Sequence, residues 1–178
     1  VFDDHTNVLQ SEHPVLLDTV NLGHGAYQFL KAAALAKGRE EEMRWHGVGL
    51  GICDFFVDHA LPDGTYGSVW SPEGQCLDPQ GTSGAFVLWA MLEAYRQTNA
   101  HKYLQSAEGA FRTYYQRDLL TASCAGGALD THCVDKESAW PLLMAALDLL
   151  EVTGDKTYLK AAEDAGYYLA SWQWHHSV

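Results

Sequence analysis

Apolar residues recur at three- and four-residue steps along most of the chain, which is the spacing of one face of an α-helix. The clearest case lies near the end of the sequence, where one such series precedes Gly154-Asp155 and a second series follows it. Glycine suits the position just past a helix end, and aspartate suits the position before the next helix. The pattern therefore predicts a helical hairpin with a short turn. The apolar positions are Leu142, Leu143, Ala146, Leu147 and Leu150, then Tyr158, Leu159, Ala162, Ala165, Tyr168, Leu169 and Trp172.

This hairpin pattern is repeated along the chain. When the sequence is shifted by 55 residues, residues 83–111 fall on 138–166 with many identities. A weaker copy precedes both, with Gly38 between its two helices. A repeat at a fixed offset is typical of stacked supersecondary units. The sequence predicts an all-α fold built as a helical hairpin repeat in a single domain, 1–178, with hairpins over approximately 15–61, 83–117 and 137–173.

Two long connectors join the hairpins, whereas the turns inside the hairpins are short. The connectors cover residues 61–82 and roughly 118–137. Because each hairpin returns the chain to the end at which it began, both connectors are expected at one end of the helix array, where sites are commonly built. The small and aromatic residues of the helices favour two packed layers, one inner and one outer. Three such hairpins would form half of a six-hairpin (α/α) toroid, that is, a partial (α/α)6 barrel.

The composition excludes several classes of function. The chain has 178 residues, 47% of them apolar, so a globular domain is expected. A formal net charge of −12 disfavours nucleic acid and acidic membrane surfaces as partners. No apolar run approaches the ~20 residues of a membrane span. The chain begins at Val1 without a signal-peptide pattern, which suggests a removed leader or a longer parent protein and leaves the compartment open.

The cysteine and histidine pattern predicts neither a metal nor another cofactor. None of the cysteines forms a CxxC pair, and a core of this size does not need disulfides, so thiols are favoured. Those cysteines are Cys53, Cys76, Cys124 and Cys133. Together with Cys124, Cys133 and Asp135, His132 could in principle bind zinc, but the spacing matches no strong zinc motif.

Residues 129–174 resemble the six-hairpin glycosidase superfamily. VDKE (134–137) enters a helix as the IDKE motif does, LLEVTGDKTYLKAAE (149–163) is similar to a family hairpin, and SWQW (171–174) is similar to its Trp-rich exit. The segment DGTYGSVWSPEG (63–74) is similar to loops that line the sugar funnel. The resemblance implies an (α/α)6 toroid with about twice as many helices as this chain. The other half would come from a missing remainder of the toroid or from a second copy in a homodimer.

The resemblance further implies a carbohydrate substrate and glycoside hydrolase-like chemistry. Such chemistry commonly uses two carboxyl groups, one to protonate the leaving oxygen and one as base or nucleophile. Asp135 and Glu137 are the candidate catalytic pair, because they lie where a long connector meets a helix. Pro141 marks the start of that helix, so the same two acids also suit capping or pairing with Lys136. The residues alone leave both interpretations open.

Five residues are candidate substrate contacts. His132 and Lys136 would provide polar contacts beside the two acids. Trp70, in a Gly-rich loop with Tyr66, would provide a stacking platform, since aromatic faces suit the C–H faces of sugars. Trp140 is a further candidate, although a core position is favoured for it.

Two alternatives to a hydrolase stay open. A sugar epimerase or polysaccharide lyase on the same scaffold would take a proton from carbon, typically with His or Tyr as base. A non-catalytic helical-repeat binding module, or an inactive fragment, would need no acid–base pair, and the missing half of the toroid favours it. His24 is not included among the site residues, because a hydrogen-bonded helix histidine is the expected role there.

Overall fold

Three helical hairpins form the fold, and this confirms the all-α class. The computed structural model describes residues 16–126 and 133–173, and within them the chain forms six α-helices. A single 3-10 turn, Ser83–Phe86, precedes the third helix, and a π-helical turn, Tyr115–Leu119, extends the fourth. The helices are α1 (Thr19–Leu35), α2 (Glu40–Asp58), α3 (Val87–Thr98), α4 (His101–Tyr114), α5 (Trp140–Thr153) and α6 (Thr157–Ser171).

The helices pack in two layers. α1, α3 and α5 lie side by side as the inner layer, while α2 packs on α1 and α3, and α4 packs on α3 and α5. α6 covers α5. Each hairpin therefore contributes one inner and one outer helix, as in a partial (α/α) toroid. None of the helices in the described part of the chain is long and apolar enough to cross a membrane.

Residues in the left-handed conformation make the short turns of the second and third hairpins possible. Asn99 ends α3 with φ of 55°, and Gly154 ends α5 with φ of 72°. Their N–H groups bond back to the last helical turns, which satisfies carbonyls that the helix leaves open. Asp155 was expected to cap α6 from the adjacent position, but it lies one residue earlier than that. Its carboxylate accepts the N–H of Thr157 at 2.9 Å, which lowers the pKa of Asp155.

Gly23 allows α1 to approach the start of α3. A Cβ atom at this position would lie 2.7 Å from the backbone carbonyl carbon and oxygen of Phe86, closer than real Cβ contacts come. Gly25, two residues along the same helix, has open space where its Cβ would be. Only the first of these glycines is therefore required by packing.

The core lies between the two layers and continues into the first connector. Its side chains come from all three hairpins and from the segment that precedes α3. The largest fully buried ones are Trp70, Tyr66, Tyr114, Phe56, Leu30, Leu88, Met91, Leu92, Leu142 and Leu149. The third hairpin leaves several large apolar side chains exposed besides Trp140 and Met144. These are Leu147, Leu159, Tyr167 and Trp172.

A small antiparallel sheet departs from the purely helical expectation. It pairs β1 (Leu17–Asp18) with β2 (Val69–Trp70), and β2 with β3 (Cys76–Asp78). The sheet fastens the first connector to the segment that enters α1. The Asp18 carboxylate also accepts the N–H of Asn21 at 2.8 Å, so the same segment caps α1.

Candidate functional site

The described parts of both long connectors, residues 61–82, 118–126 and 133–137, lie at one end of the helix array, as the hairpin repeat predicts. They lead into the N-termini of α3 and α5, and they hydrogen-bond to each other. The N–H of Thr82 donates to the carbonyl of Ala125 at 2.8 Å, and the hydroxyl of Ser83 donates to the carbonyl of Gly126 at 2.7 Å. The connectors therefore form a common rim at the N-terminal ends of the inner helices.

A buried carboxylate holds this rim together. Asp118 accepts the hydroxyl of Thr82 at 2.8 Å and the guanidinium of Arg117 through both of its oxygens. Arg117 also donates to the carbonyl of Gly81 at 2.8 Å, so it links the end of α4 to the first connector. The hydrogen bonds to Asp118 raise the pKa of Arg117, although burial acts in the opposite direction. We regard this cluster as structural, since each of its groups is used to join elements.

Asp135 is buried and takes part in the local backbone structure. Its Oδ1 accepts the N–H of Ser138 at 2.6 Å and so caps the turn over residues 136–139 that precedes α5. Its own N–H donates to the carbonyl of Cys124, and its carbonyl accepts the hydroxyl of Tyr168 at 2.8 Å. The helix α5 begins at Trp140, and its N-cap residue, Ala139, has no side-chain cap bond, so the expectation that Asp135 caps this helix directly is wrong.

Glu137 and Lys136 lie at the surface beside this cap. The Nζ of Lys136 is 3.6 Å from the Oε1 of Glu137, and both side chains are roughly half exposed. A pair of this kind contributes little to stability, because water screens it. Both groups are therefore accessible from solvent at the rim. His132, the other polar candidate here, lies outside the described residues.

Trp70 and Tyr66 are core residues rather than a surface platform. Trp70 is 2% exposed and Tyr66 is fully buried. The indole N–H of Trp70 donates to the carbonyl of Tyr66 at 2.6 Å, and the phenol of Tyr66 bonds to the hydroxyl of Ser106. Phe55 and Phe56 contact the Trp70 ring edge to face. The Gly-rich connector folds over these rings instead of presenting them, so we do not retain either as a substrate contact.

Trp140, by contrast, presents its indole to a pocket on the concave side of the inner helices. Its side chain is 46% exposed, and its ring lies edge to face with Trp89 at a centroid distance of 5.0 Å. The indole N–H of Trp89 is bonded to the carbonyl of Pro141, which fixes that ring at the pocket wall. The pocket has a volume of about 220 Å³. It is lined by Tyr27, Gln28, Trp89, Trp140, Met144 and Asp148.

His24 lies behind these rings and differs from its expected role as a hydrogen-bonded helix residue. Its imidazole stacks on Trp89 at 5.2 Å and contacts Phe86 edge to face at 4.8 Å. Its Nε2 is buried and has no hydrogen-bond partner in the described part of the chain. Burial lowers the pKa of His24, so the ring is neutral near pH 7. It therefore acts mainly as an aromatic support for the pocket wall.

Charged side chains continue the concave surface beside the pocket. Nη2 of Arg96 donates to Asp148 at 2.7 Å and to Glu151 at 2.6 Å, and Nη1 is 3.9 Å from Glu93. The Nζ of Lys31 is 3.8 Å from Glu93. Burial lowers the pKa of Arg96, but the hydrogen bonds and attraction of Asp148 and Glu151 outweigh that effect and raise it overall. These five residues form what we call the concave charge network.

The 55-residue repeat relates residues that lie on this surface, whereas the connector motifs do not include them. At the offset of 55 residues, Trp89 falls on Met144 and Glu93 falls on Asp148. Trp89, Met144 and Asp148 line the pocket, and Glu93 belongs to the adjacent charge network. Because equivalent positions on α3 and α5 both carry an acid, the repeat could have predicted this surface from the sequence.

Comparison with known proteins identifies the fold. The structure is similar to that of a GH76 alpha-mannanase from Bacteroides thetaiotaomicron, with a TM-score of 0.67 and 15% sequence identity. The chain has the fold of a partial (α/α) toroid. The match covers 89% of this chain but 42% of the mannanase chain, so the protein spans less than half the length of that enzyme, as a partial toroid would. The sequence matches no protein-family model and no curated protein.

The possible metal ligands and the thiols are the remaining reactive side chains of the described residues. No group of three or more His, Cys, Asp or Glu side chains there is arranged to hold a metal ion. Cys53 and Cys124 are buried thiols, and burial raises the pKa of each to about 12. Such thiols are poor nucleophiles at neutral pH. Trp140 in the aromatic pocket and Glu137 at the rim, by contrast, are open to solvent.

Proposed function

We propose that the chain binds a glycan in the concave pocket as part of a glycoside hydrolase-like toroid. The observation that carries this proposal is the half-exposed indole of Trp140, held against Trp89 beside the carboxylate of Asp148. The C–H faces of a sugar ring pack well on aromatic rings, and its hydroxyls need polar partners at the edge of that contact. This pocket offers both kinds of group.

The polar lining residues suit sugar hydroxyls. Asp148 accepts hydrogen bonds through a carboxylate whose direction Arg96 fixes by charge-assisted bonding. Gln28 is exposed and can both donate and accept. A pocket volume of about 220 Å³ is smaller than the roughly 300 Å³ of a typical drug-sized pocket. We therefore expect the pocket to take a single sugar ring of a longer chain.

For turnover, we propose Glu137 and Asp135 as the acid–base carboxylates. Both precede Trp140 on the same approach to α5, so a glycan held by the indole would pass close to the rim. The two acids differ in how cleanly they can be tested. Asp135 accepts the Ser138 N–H, so its replacement also removes a cap. Glu137 contacts Lys136 at the surface, so its replacement leaves the fold intact.

Binding is tested first. Calorimetry and tryptophan fluorescence would measure the affinity of neutral oligosaccharides, including fragments of α-mannan because the structural neighbour is an alpha-mannanase. Trp140→Ala should weaken binding by roughly tenfold or more, since it removes the aromatic surface. Trp172→Ala is the matched control, because Trp172 is 40% exposed but lies at the end of α6 in the outer layer. Equal losses in both variants, or none in Trp140→Ala, would contradict the proposal.

Turnover is tested separately, by release of reducing ends from the glycans that bind. Glu137→Gln should abolish it while the helical circular dichroism spectrum is unchanged, and Lys136→Gln should retain most of it. A protein that binds but does not cleave would instead be a non-catalytic binding module. The capping role of Asp135 favours that second candidate, because it ties one acid of the pair to the backbone.

A further inference from the structure

The side chains around the concave pocket carry more negative charges than positive ones. The concave charge network contains two cations, Lys31 and Arg96, and three carboxylates, those of Glu93, Asp148 and Glu151. Of these five groups, the carboxylate of Asp148 lines the pocket. A ligand in the pocket therefore meets a negative group directly, and it meets cations that already have carboxylate partners.

The positive charge of Arg96 is already matched by carboxylates of the protein. Its Nη2 contacts Asp148 and Glu151 at 2.7 and 2.6 Å, and its Nη1 faces Glu93. A guanidinium binds a carboxylate strongly when its parallel N–H groups are available, and here they are shared among protein acids. Lys31 is half exposed and lies 3.8 Å from Glu93.

We propose that the pocket selects uncharged sugar rings and excludes sugars that carry a carboxylate or sulfate. This inference rests on the proposed function of the pocket. The wider charge distribution acts in the same direction, because the chain carries a formal net charge of −12. Like charges held near one another at an interface suppress the wrong partner. Lys136, the cation closest in sequence to Trp140, is already paired with Glu137 at 3.6 Å.

The test compares sugars that differ at a single carbon. Oligomers of mannose, glucose and galactose would be titrated beside the corresponding uronate oligomers, which replace the C6 hydroxymethyl group with a carboxylate. The best neutral oligomer should bind about tenfold tighter than its uronate partner at low salt. That ratio should shrink as salt rises from about 20 mM to about 200 mM, because ions screen the repulsion.

Single-charge variants locate the source of the selectivity. Asp148→Asn removes the carboxylate that lines the pocket and releases a guanidinium N–H of Arg96, so uronate binding should improve about fivefold or more. Glu151→Gln, whose side chain is largely exposed and does not line the pocket, should have a smaller effect. Glu41→Gln on α2 removes the same charge from an exposed helix start and should change neither affinity.

The possible outcomes separate this inference from the function on which it depends. A uronate that binds as tightly as its neutral partner overturns the selectivity and leaves a glycan site in place. An unchanged ratio in Asp148→Asn also overturns it, because the repulsion would then come from elsewhere. If no neutral or acidic oligomer binds, the proposed function fails and the inference fails with it.

Discussion

Two aromatic regions of this protein have similar compositions and opposite exposures. The first connector contains Tyr66 and Trp70, whose polar atoms are bonded inside the protein and whose rings are covered by α2. The concave pocket contains Trp89 and Trp140, and there one indole is anchored while the other is open to solvent. Aromatic content in a loop is therefore a weak guide to a ligand site. What matters is whether the surrounding elements cover the ring.

The largest effect on the free energy of unfolding should come from the first connector, whose aromatic rings are covered. Trp70→Ala is expected to lower the free energy of unfolding by about 3–5 kcal/mol, because it empties a buried site and removes the indole bond to the Tyr66 carbonyl. Urea denaturation followed by circular dichroism measures this. Trp70→Phe should cost clearly less, since a ring still fills part of the space. A loss below about 1 kcal/mol in the alanine variant would mean that the connector is not part of the core.

The junction between the covered connector and α1 should be the next most sensitive. Gly23→Ala is expected to cost about 1–3 kcal/mol, because its Cβ would meet the backbone of Phe86 and Val87 at under 3 Å. Gly25→Ala on the same helix should instead stabilise the protein by about 0.5–1 kcal/mol, since alanine is the better helix former and nothing obstructs it. Thermal denaturation of the pair gives the comparison, and changes of the same sign would refute the close approach.

Substitution in the concave pocket should lower the free energy of unfolding less. Trp140→Ala is expected to cost about 1 kcal/mol in unfolding free energy, because roughly half of the side chain is already in water. The same urea titrations that measure Trp70→Ala provide this value. The two tryptophans would then separate into one that holds the fold and one that serves the surface. A Trp140 variant as unstable as the Trp70 variant would remove that distinction.

The smallest effect concerns pH. Burial lowers the pKa of His24 below its ordinary value of 6.5, so the unfolded chain binds a proton first as pH falls. The contribution of neutral His24 is thus fully present above about pH 6.5 and is lost below it, as the unfolded chain becomes protonated. After solvent screening, we expect less than about 1 kcal/mol. His24→Phe keeps a ring against Trp89 and should flatten the decline in stability between pH 7.5 and pH 5 by about that amount.

At each pH, the unfolding free energy of His24→Phe is subtracted from that of the wild type, so that the contributions of the other histidines cancel. If the two stability profiles run parallel through this pH range, the burial of the imidazole has no effect on its titration in solution. If the variant declines more steeply than the wild type, the sign of the shift is opposite to that expected from desolvation.

Sequence alone was sufficient for the repeat, the helix class and the common rim. The 55-residue offset, Gly154 and the helical spacing of the apolar residues are local features, and each limits the backbone over a few residues. The connectors then had to meet at one end because hairpins reverse the chain. The hydrogen bond from the Thr82 N–H to the Ala125 carbonyl joins the two connectors there.

Tertiary structure decided which of the predicted residues could face a ligand. Trp70 and Tyr66 were chosen from a Gly-rich loop, yet the loop folds inward because burying their rings gains more than leaving them exposed in water. Asp135 was expected from its sequence at the N-cap of α5, yet that helix begins at Trp140, and the Asp135 carboxylate bonds the Ser138 N–H in the preceding turn. The concave charge network joins residues from three helices, so only the packing of α1, α3 and α5 brings its charges together. Local spacing fixes the backbone pattern, whereas exposure and charge pairing depend on neighbours distant in sequence.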